Sequence, residues 1–169
     1  MANPKIKTCA QMKEVAARLK RRGKKIVFTN GCFDILHVGH IRYLRKARKQ
    51  GDVLVVGMNT DRSVRFIKGE KRPIVPEKER AEVLSALEFV DYVVLFDEPN
   101  PLRLIRTLRP HILVKGADWP KAEIIGRDIV EKVGGRVMRI PLVPGVSSTG
   151  LIDKIVQIYC KKRPKTGDR

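Results

Sequence analysis

His37 and His40 stand three residues apart with Gly39 between them, in His37-Val38-Gly39-His40. Ahead of them Lys25-Ile-Val-Phe-Thr-Asn30 is a short β-branched and aromatic run, the pattern of a buried strand, ended by the breaker Gly31. Behind them Ile41, Leu44 and Ala47 recur on one helical face, and Gly51 closes the segment. The two imidazoles therefore sit on a strand-to-helix turn, where unpaired N–H groups and the positive end of the helix dipole attract phosphate. Imidazole donors placed there gain strength as a phosphoryl group accumulates charge in a transition state. The plainer alternative is a pair of histidines that cap or pack a helix start.

Strands and helices must alternate to hold that turn in place. A helix is predicted over about 10–22, then a strand at 25–30, a helix at 40–50 and a strand at 53–59. A loop runs through Lys68-Gly69 to a helix at 77–88. A strand at 92–96 follows, then a helix opened by Asn100-Pro101, a strand at 112–115, a helix at 121–133 stopped by Gly134-Gly135, and a strand at 136–140. Ser147 or Ser148 caps a last helix ending near Tyr159. Near-continuous apolar strands alternating with amphipathic helices imply an α/β fold, a Rossmann-like doubly wound parallel five-stranded sheet. The expected organisation is a basic N-terminal helix (1–24), a domain (25–159) and a basic C-terminal tail (160–169).

The stretch from Phe28 to His40 resembles the first signature of the cytidylyltransferase-like nucleotidylyltransferases. Further blocks stand in the order found in D-glycero-D-manno-heptose 1-phosphate adenylyltransferases. They are Asn59-Thr60-Asp61, Lys68-Gly69 with Arg72-Pro73, Arg80, Val90-Asp91, Val114-Lys115-Gly116-Ala117-Asp118-Trp119 and Ser147-Ser148-Thr149. Archaeal FAD synthetases and glycerol-phosphate cytidylyltransferases carry similar blocks. The resemblance covers Lys25 to Tyr159 and implies strand order 3-2-1-4-5. The switch point then lies between the first and fourth strands, where the Thr29–His40 and Lys115–Trp119 segments leave the sheet.

The chemistry implied is attack of a phosphate monoester on the α-phosphorus of a nucleoside triphosphate, with pyrophosphate leaving. A monoester with a second pKa near ~6 is largely dianionic at neutral pH and needs no strong base. Catalysis then reduces to holding two polyanions in line and neutralising charge. By resemblance His37, His40 and Lys68 are the catalytic residues. Thr29, Asn30, Gly31, Cys32, Phe33, Gly39, Arg80, Gly116, Ser147, Ser148 and Thr149 bind ATP with its Mg2+. Asp34, Lys71, Arg72, Asp118 and Trp119 contact the acceptor.

Several have an ordinary reading too. Lys68 and Arg80 are surface charges, Asp34 a turn residue, Trp119 a cleft-edge cover, Ser147 and Ser148 plain helix caps, and Cys32 a small buried hydrophobe. His111 is expected to be structural. Where glycerol-phosphate cytidylyltransferases carry Arg-Thr-Glu-Gly, this chain has Leu142-Val143-Pro144-Gly145, which favours ATP over CTP. The best-fitting acceptor is D-glycero-β-D-manno-heptose 1-phosphate, with FMN or a polyol phosphate as alternatives. A homodimer is implied, and a separate sugar kinase supplies the acceptor.

The net charge of +18 also invites a nucleic-acid-binding reading. Residues 1–25 hold nine Lys/Arg against one Glu, and residues 160–169 hold five against one Asp. The excess therefore lies mostly at the ends, the pattern of solvated charge, and no stacking-aromatic or Cys/His nucleic-acid signature accompanies it. No specific nucleic acid is expected. Cys9, Cys32 and Cys160 are too few and too scattered for a disulfide framework or a zinc site. No apolar run approaches the ~20 residues that span a bilayer, and the basic N-terminus lacks a signal-peptide core. A cytoplasmic protein away from membranes is the expectation.

Overall fold

Period-two alternation in the strands divides the core into two faces. Ile26 and Phe28 point to one side of strand β2 (Ile26–Gly31) and Val27 to the other. In β3 (Val53–Asn59) Val53 and Val55 oppose Leu54, Val56 and Met58, and all seven residues are buried. A strand buried on both faces must be central, and its neighbours must be covered by helices on both sides. The computed structural model, which describes residues 3–160, shows this arrangement.

The remaining strands are β1 (Ile6–Lys7), β4 (Tyr92–Phe96), β5 (Ile112–Gly116) and β6 (Arg136–Ile140). All pairings are parallel, in the order β1-β4-β3-β2-β5-β6. The sheet thus has six strands rather than five. The extra one is a two-residue edge strand pairing Ile6 and Lys7 with Val93 and Val94, too short to leave a periodic signal. The other five keep the expected order, and the switch point falls between β2 and β5.

Helix α1 (Cys9–Arg21) opens with a reciprocal cap: Gln11 donates its N–H to the Thr8 hydroxyl, and Thr8 donates its own to the Gln11 side chain. Met12 and Ala16 lie in the core with residues of α5 (Leu102–Leu108) and α6 (Arg127–Lys132). The N-terminal helix, expected to stand apart from the domain, is therefore integral to it, because its apolar stripe completes one face of the sheet. Opposite it pack α2 (Val38–Arg48) and α4 (Glu77–Ala86), through Leu44, Ala47, Ala81 and Leu84. Full burial of each of the two leucines contributes ~1.5–3 kcal/mol.

Two helical expectations change. The loop after β3 contains α3 (Asp61–Lys68), capped by Thr60, whose hydroxyl accepts from the Ser63 N–H. Its pattern is obscured by the exposed Phe66 and Ile67. The helix expected over 121–133 is broken: a 3-10 turn spans Lys121–Glu123, and α6 starts only after Gly126. Gly126 has φ +83°, and a Cβ there would lie 2.7 Å from Ile105, so the break needs a glycine. The final helix, α7 (Ser148–Tyr159), leaves the cleft described below. Among the described residues no helix is long and apolar enough to cross a membrane. The basic tail lies, from residue 161 onward, outside the described residues.

Candidate active site

The carboxyl ends of β2 and β5 open into a cleft with two adjoining chambers. One, of about 380 Å3, is walled by His37, Gly39, Gly116, Leu142, Val143 and Ser147. The other, of about 450 Å3, is walled by Asp34, Asn59, Arg72, Asn100, Ile125 and Thr149. Asn30 to Phe33, His40, Lys68, Lys115, Asp118, Trp119 and Ser148 face both.

His37 occupies the position before α2 in an extended conformation and makes no side-chain cap. The ordinary capping role is thus excluded for it. The imidazoles of His37 and His40 stack with centroids 3.9 Å apart, and the Phe33 ring meets His40 edge-on at 5.2 Å. Phe33 has φ +47°, an uncommon backbone state for a bulky residue, and this turn sets its ring against His40. Gly39 lies so close under His37 that a Cβ would sit 2.9 Å from the imidazole. The Nδ1 atoms of both histidines are buried without a hydrogen-bond partner. Orphaned ring nitrogens beside the open N–H groups of a helix start are what an incoming phosphate would satisfy.

Burial pushes the His40 imidazole down to about 4, and the neighbouring His37 adds to the effect; burial lowers His37 as well. Both rings are therefore neutral at pH 7 in the free protein. A triphosphate would favour their protonated forms and pull them upward. The expected result is a His40 ring-proton NMR titration near pH 4 without nucleotide, displaced upward once ATP binds. An ordinary midpoint in the free protein would contradict the packing described. An unfolded-chain imidazole titrates near 6.5, so these rings' contribution to the stability of the fold that keeps them neutral is complete above that pH. It is lost as pH falls from there toward 4.

At the other end of the cleft the Ser147 hydroxyl accepts from the Gly150 N–H, and the Ser148 hydroxyl donates to the Ile35 carbonyl. Ser147 and Ser148 thereby cap α7 and tie it to the histidine loop. The Ser148 and Thr149 amides are left at the helix mouth.

Most of the sequence-predicted residues come together here, but three do not line either chamber. Thr29 is buried and shares a 2.8 Å hydrogen bond with the Tyr43 hydroxyl. Lys71 is exposed beyond the rim. Arg80 is buried behind the loop, donating to the Val75 and Cys32 carbonyls and, at 2.7 Å, to Asp61. Its guanidinium props the turn at Cys32 from below instead of reaching into the cleft, because three acceptors already surround it.

Asp34 lines the second chamber, yet its carboxylate accepts from Arg72 Nε at 2.6 Å and from the Ile74 and Val75 amides. Burial raises the Cys32 thiol, against the pull of Lys68, Arg80 and Arg72, which suits an inert packing residue. His111 accepts the Ile26 amide on Nδ1, a structural tie between the starts of β2 and β5.

Sequence reasoning missed Tyr43, Asn59, Asn100, Leu142, Val143 and Lys115 as cleft residues. Tyr43, one turn after His40, and Lys115, at the end of a switch-point strand, had a positional signal. Leu142 and Val143 had a signal only in the block they replace, where the resemblance bears on the choice of nucleotide.

The chain matches the cytidylyltransferase-like family over residues 28–159. It is 55% identical to the bifunctional protein HldE of Geobacter metallireducens over 94% of this chain and 32% of that protein. It is 56% identical to HldE of Citrifermentans bemidjiense, with the same coverage. The chain thus spans about a third of the length of these curated relatives. Among solved structures it is similar to the lipopolysaccharide core biosynthesis protein of Thermoplasma volcanium, with 34% identity and a TM-score of 0.62. That match covers 72% of this chain and 99% of that one. By its sequence match, its sheet order and its histidine turn, the chain belongs to the cytidylyltransferase-like family of nucleotidyltransferases.

Proposed function

We propose that this protein moves AMP from ATP onto D-glycero-β-D-manno-heptose 1-phosphate, giving ADP-heptose and pyrophosphate. The observation that carries the chemistry is the orphaned, stacked His37–His40 pair at the start of α2, with the mouth of α7 across the same cleft. The two chambers divide the substrates. Two helix N-termini converge on the first, which suits a triphosphate, and Gly116 and Leu142 offer a close backbone and an apolar wall for a base. The second carries the Asn59 and Asn100 amides, which suit sugar hydroxyls. The order of the sequence blocks and the HldE relatives favour a heptose phosphate. An activated sugar nucleotide is also the kind of donor that lipopolysaccharide assembly consumes, in keeping with the name of the Thermoplasma volcanium protein.

An acceptor phosphate oxygen attacks the α-phosphorus of ATP, a P–O bond forms, and the bond to pyrophosphate breaks. His37, His40 and Lys68 neutralise the growing charge, and the amides of α2 and α7 hold the phosphates. Arg80 acts as a positioning residue through the Cys32 carbonyl. Among the described residues no cluster of His, Cys, Asp and Glu forms a metal cage. Any Mg2+ would be held chiefly by the triphosphate's own oxygens and would screen phosphate charge. The sugar 1-phosphate comes from a kinase-type reaction, on this or another polypeptide, and a homodimer is part of the same proposal, checked by light scattering.

Leu142 stands in the nucleotide chamber where a cytidylyl-type Arg would be. ATP is therefore expected to exceed CTP by at least ~10-fold in kcat/KM, about 1.4 kcal/mol. Pyrophosphate release measured with both nucleotides against heptose 1-phosphate, FMN and glycerol 3-phosphate tests this. Equal use of CTP, or a preference for FMN, would overturn the respective part of the proposal.

A further inference from the structure

Lys115 is a half-buried cleft cation that no carboxylate holds in a hydrogen bond or close ion pair among the described residues, and the catalytic scheme leaves it unused. It ends β5 at the switch point and lies on the wall common to both chambers. Its ammonium donates to the Asn30 side-chain oxygen, a neutral amide, and lies 5.9 Å from the centre of the Trp119 ring. The other cations differ in character. Arg72 is fixed to Asp34 at 2.6 Å, and Lys68 is an exposed side chain at the end of α3.

A half-buried ammonium whose hydrogen-bond partner is a neutral amide is less well compensated in the empty protein than one paired with a carboxylate. Burial pushes Lys115 down to about 8, against the pull of Asp118 and Cys32, which leaves it charged in most molecules at neutral pH. Such a group is a preformed site for a ligand anion. The triphosphate already has two helix N-termini and two histidines in its own chamber. The acceptor chamber shares His40, the exposed Lys68 and the mouth of α7 with it, and its own walls add only amides and an occupied arginine.

We propose that Lys115 binds the phosphate of the acceptor and sets it in line with the α-phosphorus, while Asn30 and Trp119 fix the direction of its side chain. This rests on the adenylyltransferase reading. It makes Lys115 a determinant of the acceptor class: a phosphate monoester is required, whatever sugar follows it. Lysine suits the role as a compact charge that can follow a phosphate oxygen through the displacement.

The test compares the wild type with K115M, which keeps the aliphatic bulk and removes the ammonium. Turnover of ATP with heptose 1-phosphate by the wild type is measured first, and its absence overturns both the adenylyltransferase reading and this assignment. With wild-type turnover in hand, K115M is expected to raise KM for the sugar phosphate at least ~10-fold and to lower kcat. Its affinity for α,β-methylene-ATP, by calorimetry, should stay within ~2-fold, and its melting temperature should be equal or higher because a buried charge is gone. K115R, which retains the charge, should recover part of the acceptor KM. An unchanged acceptor KM in folded K115M, or nucleotide affinity falling as far as acceptor affinity, overturns the assignment of Lys115 alone.

Discussion

Replacing His37 or His40 by Ala is expected to lower kcat by ~10²–10³, the scale of losing one preorganised donor, about 2.7–4 kcal/mol. Both imidazoles are oriented before substrate arrives: they stack at 3.9 Å, Phe33 holds His40 from the side, and Gly39 admits the ring of His37. Donors fixed in this way count for most where charge develops, so ATP affinity should fall much less than kcat. Asn at either position should restore part of the rate, since its amide donates without charge. A merely structural pair would behave in the opposite way, with a lower melting temperature and normal turnover in the fraction that folds. Single-turnover rates and melting curves on the same variants separate these outcomes.

Asp34→Ala is expected to cost roughly 3–5 kcal/mol of stability, the range for removing one partner of a buried charge pair. The carboxylate is almost wholly enclosed, with side-chain exposure of 1%, and it gathers Arg72 and the Ile74 and Val75 amides onto the histidine loop. Burial alone would raise the carboxyl, but the Val75 and Ile74 amides and the Arg72 guanidinium outweigh it, so it sits below the usual carboxylate range. Its stabilisation is therefore complete above the unfolded-chain value near ~3.9. It disappears as pH falls through the lower folded value. Urea unfolding of wild type and Asp34→Ala should differ most at neutral pH and converge in acid. A constant difference down to pH 2 would contradict the assignment.

The sheet and the histidine turn were legible because their signals are local. The β2 and β3 runs are apolar over most of their length, and the His37–His40 segment sits between a strand and an amphipathic helix. Parallel pairing then followed from alternation, while the strand order came from the family resemblance. What stayed hidden depends on contacts far apart in the chain. β1 exists only because Ile6 and Lys7 meet Val93 and Val94. α3 is held at its start by Thr60, Ser63 and residues after β4, since Thr60 donates to Asp97 and Ser63 to the Glu98 carbonyl.

Arg80 illustrates the limit at the site. Its type and position fit a phosphate contact, and only the packing shows its donors occupied by Val75, Cys32 and Asp61. Lys115 is the converse, a residue in a recognised block whose character appears only when its burial and its neutral partner are seen.

Phosphorus-31 NMR of the wild-type protein with ATP, Mg2+ and D-glycero-β-D-manno-heptose 1-phosphate tests the central claim most directly. The monoester signal is expected to give way to the coupled pair of a sugar-nucleotide diphosphate, with free pyrophosphate appearing in equal amount. Inorganic phosphate with ADP, or ATP and sugar phosphate both persisting beside folded protein, would contradict it.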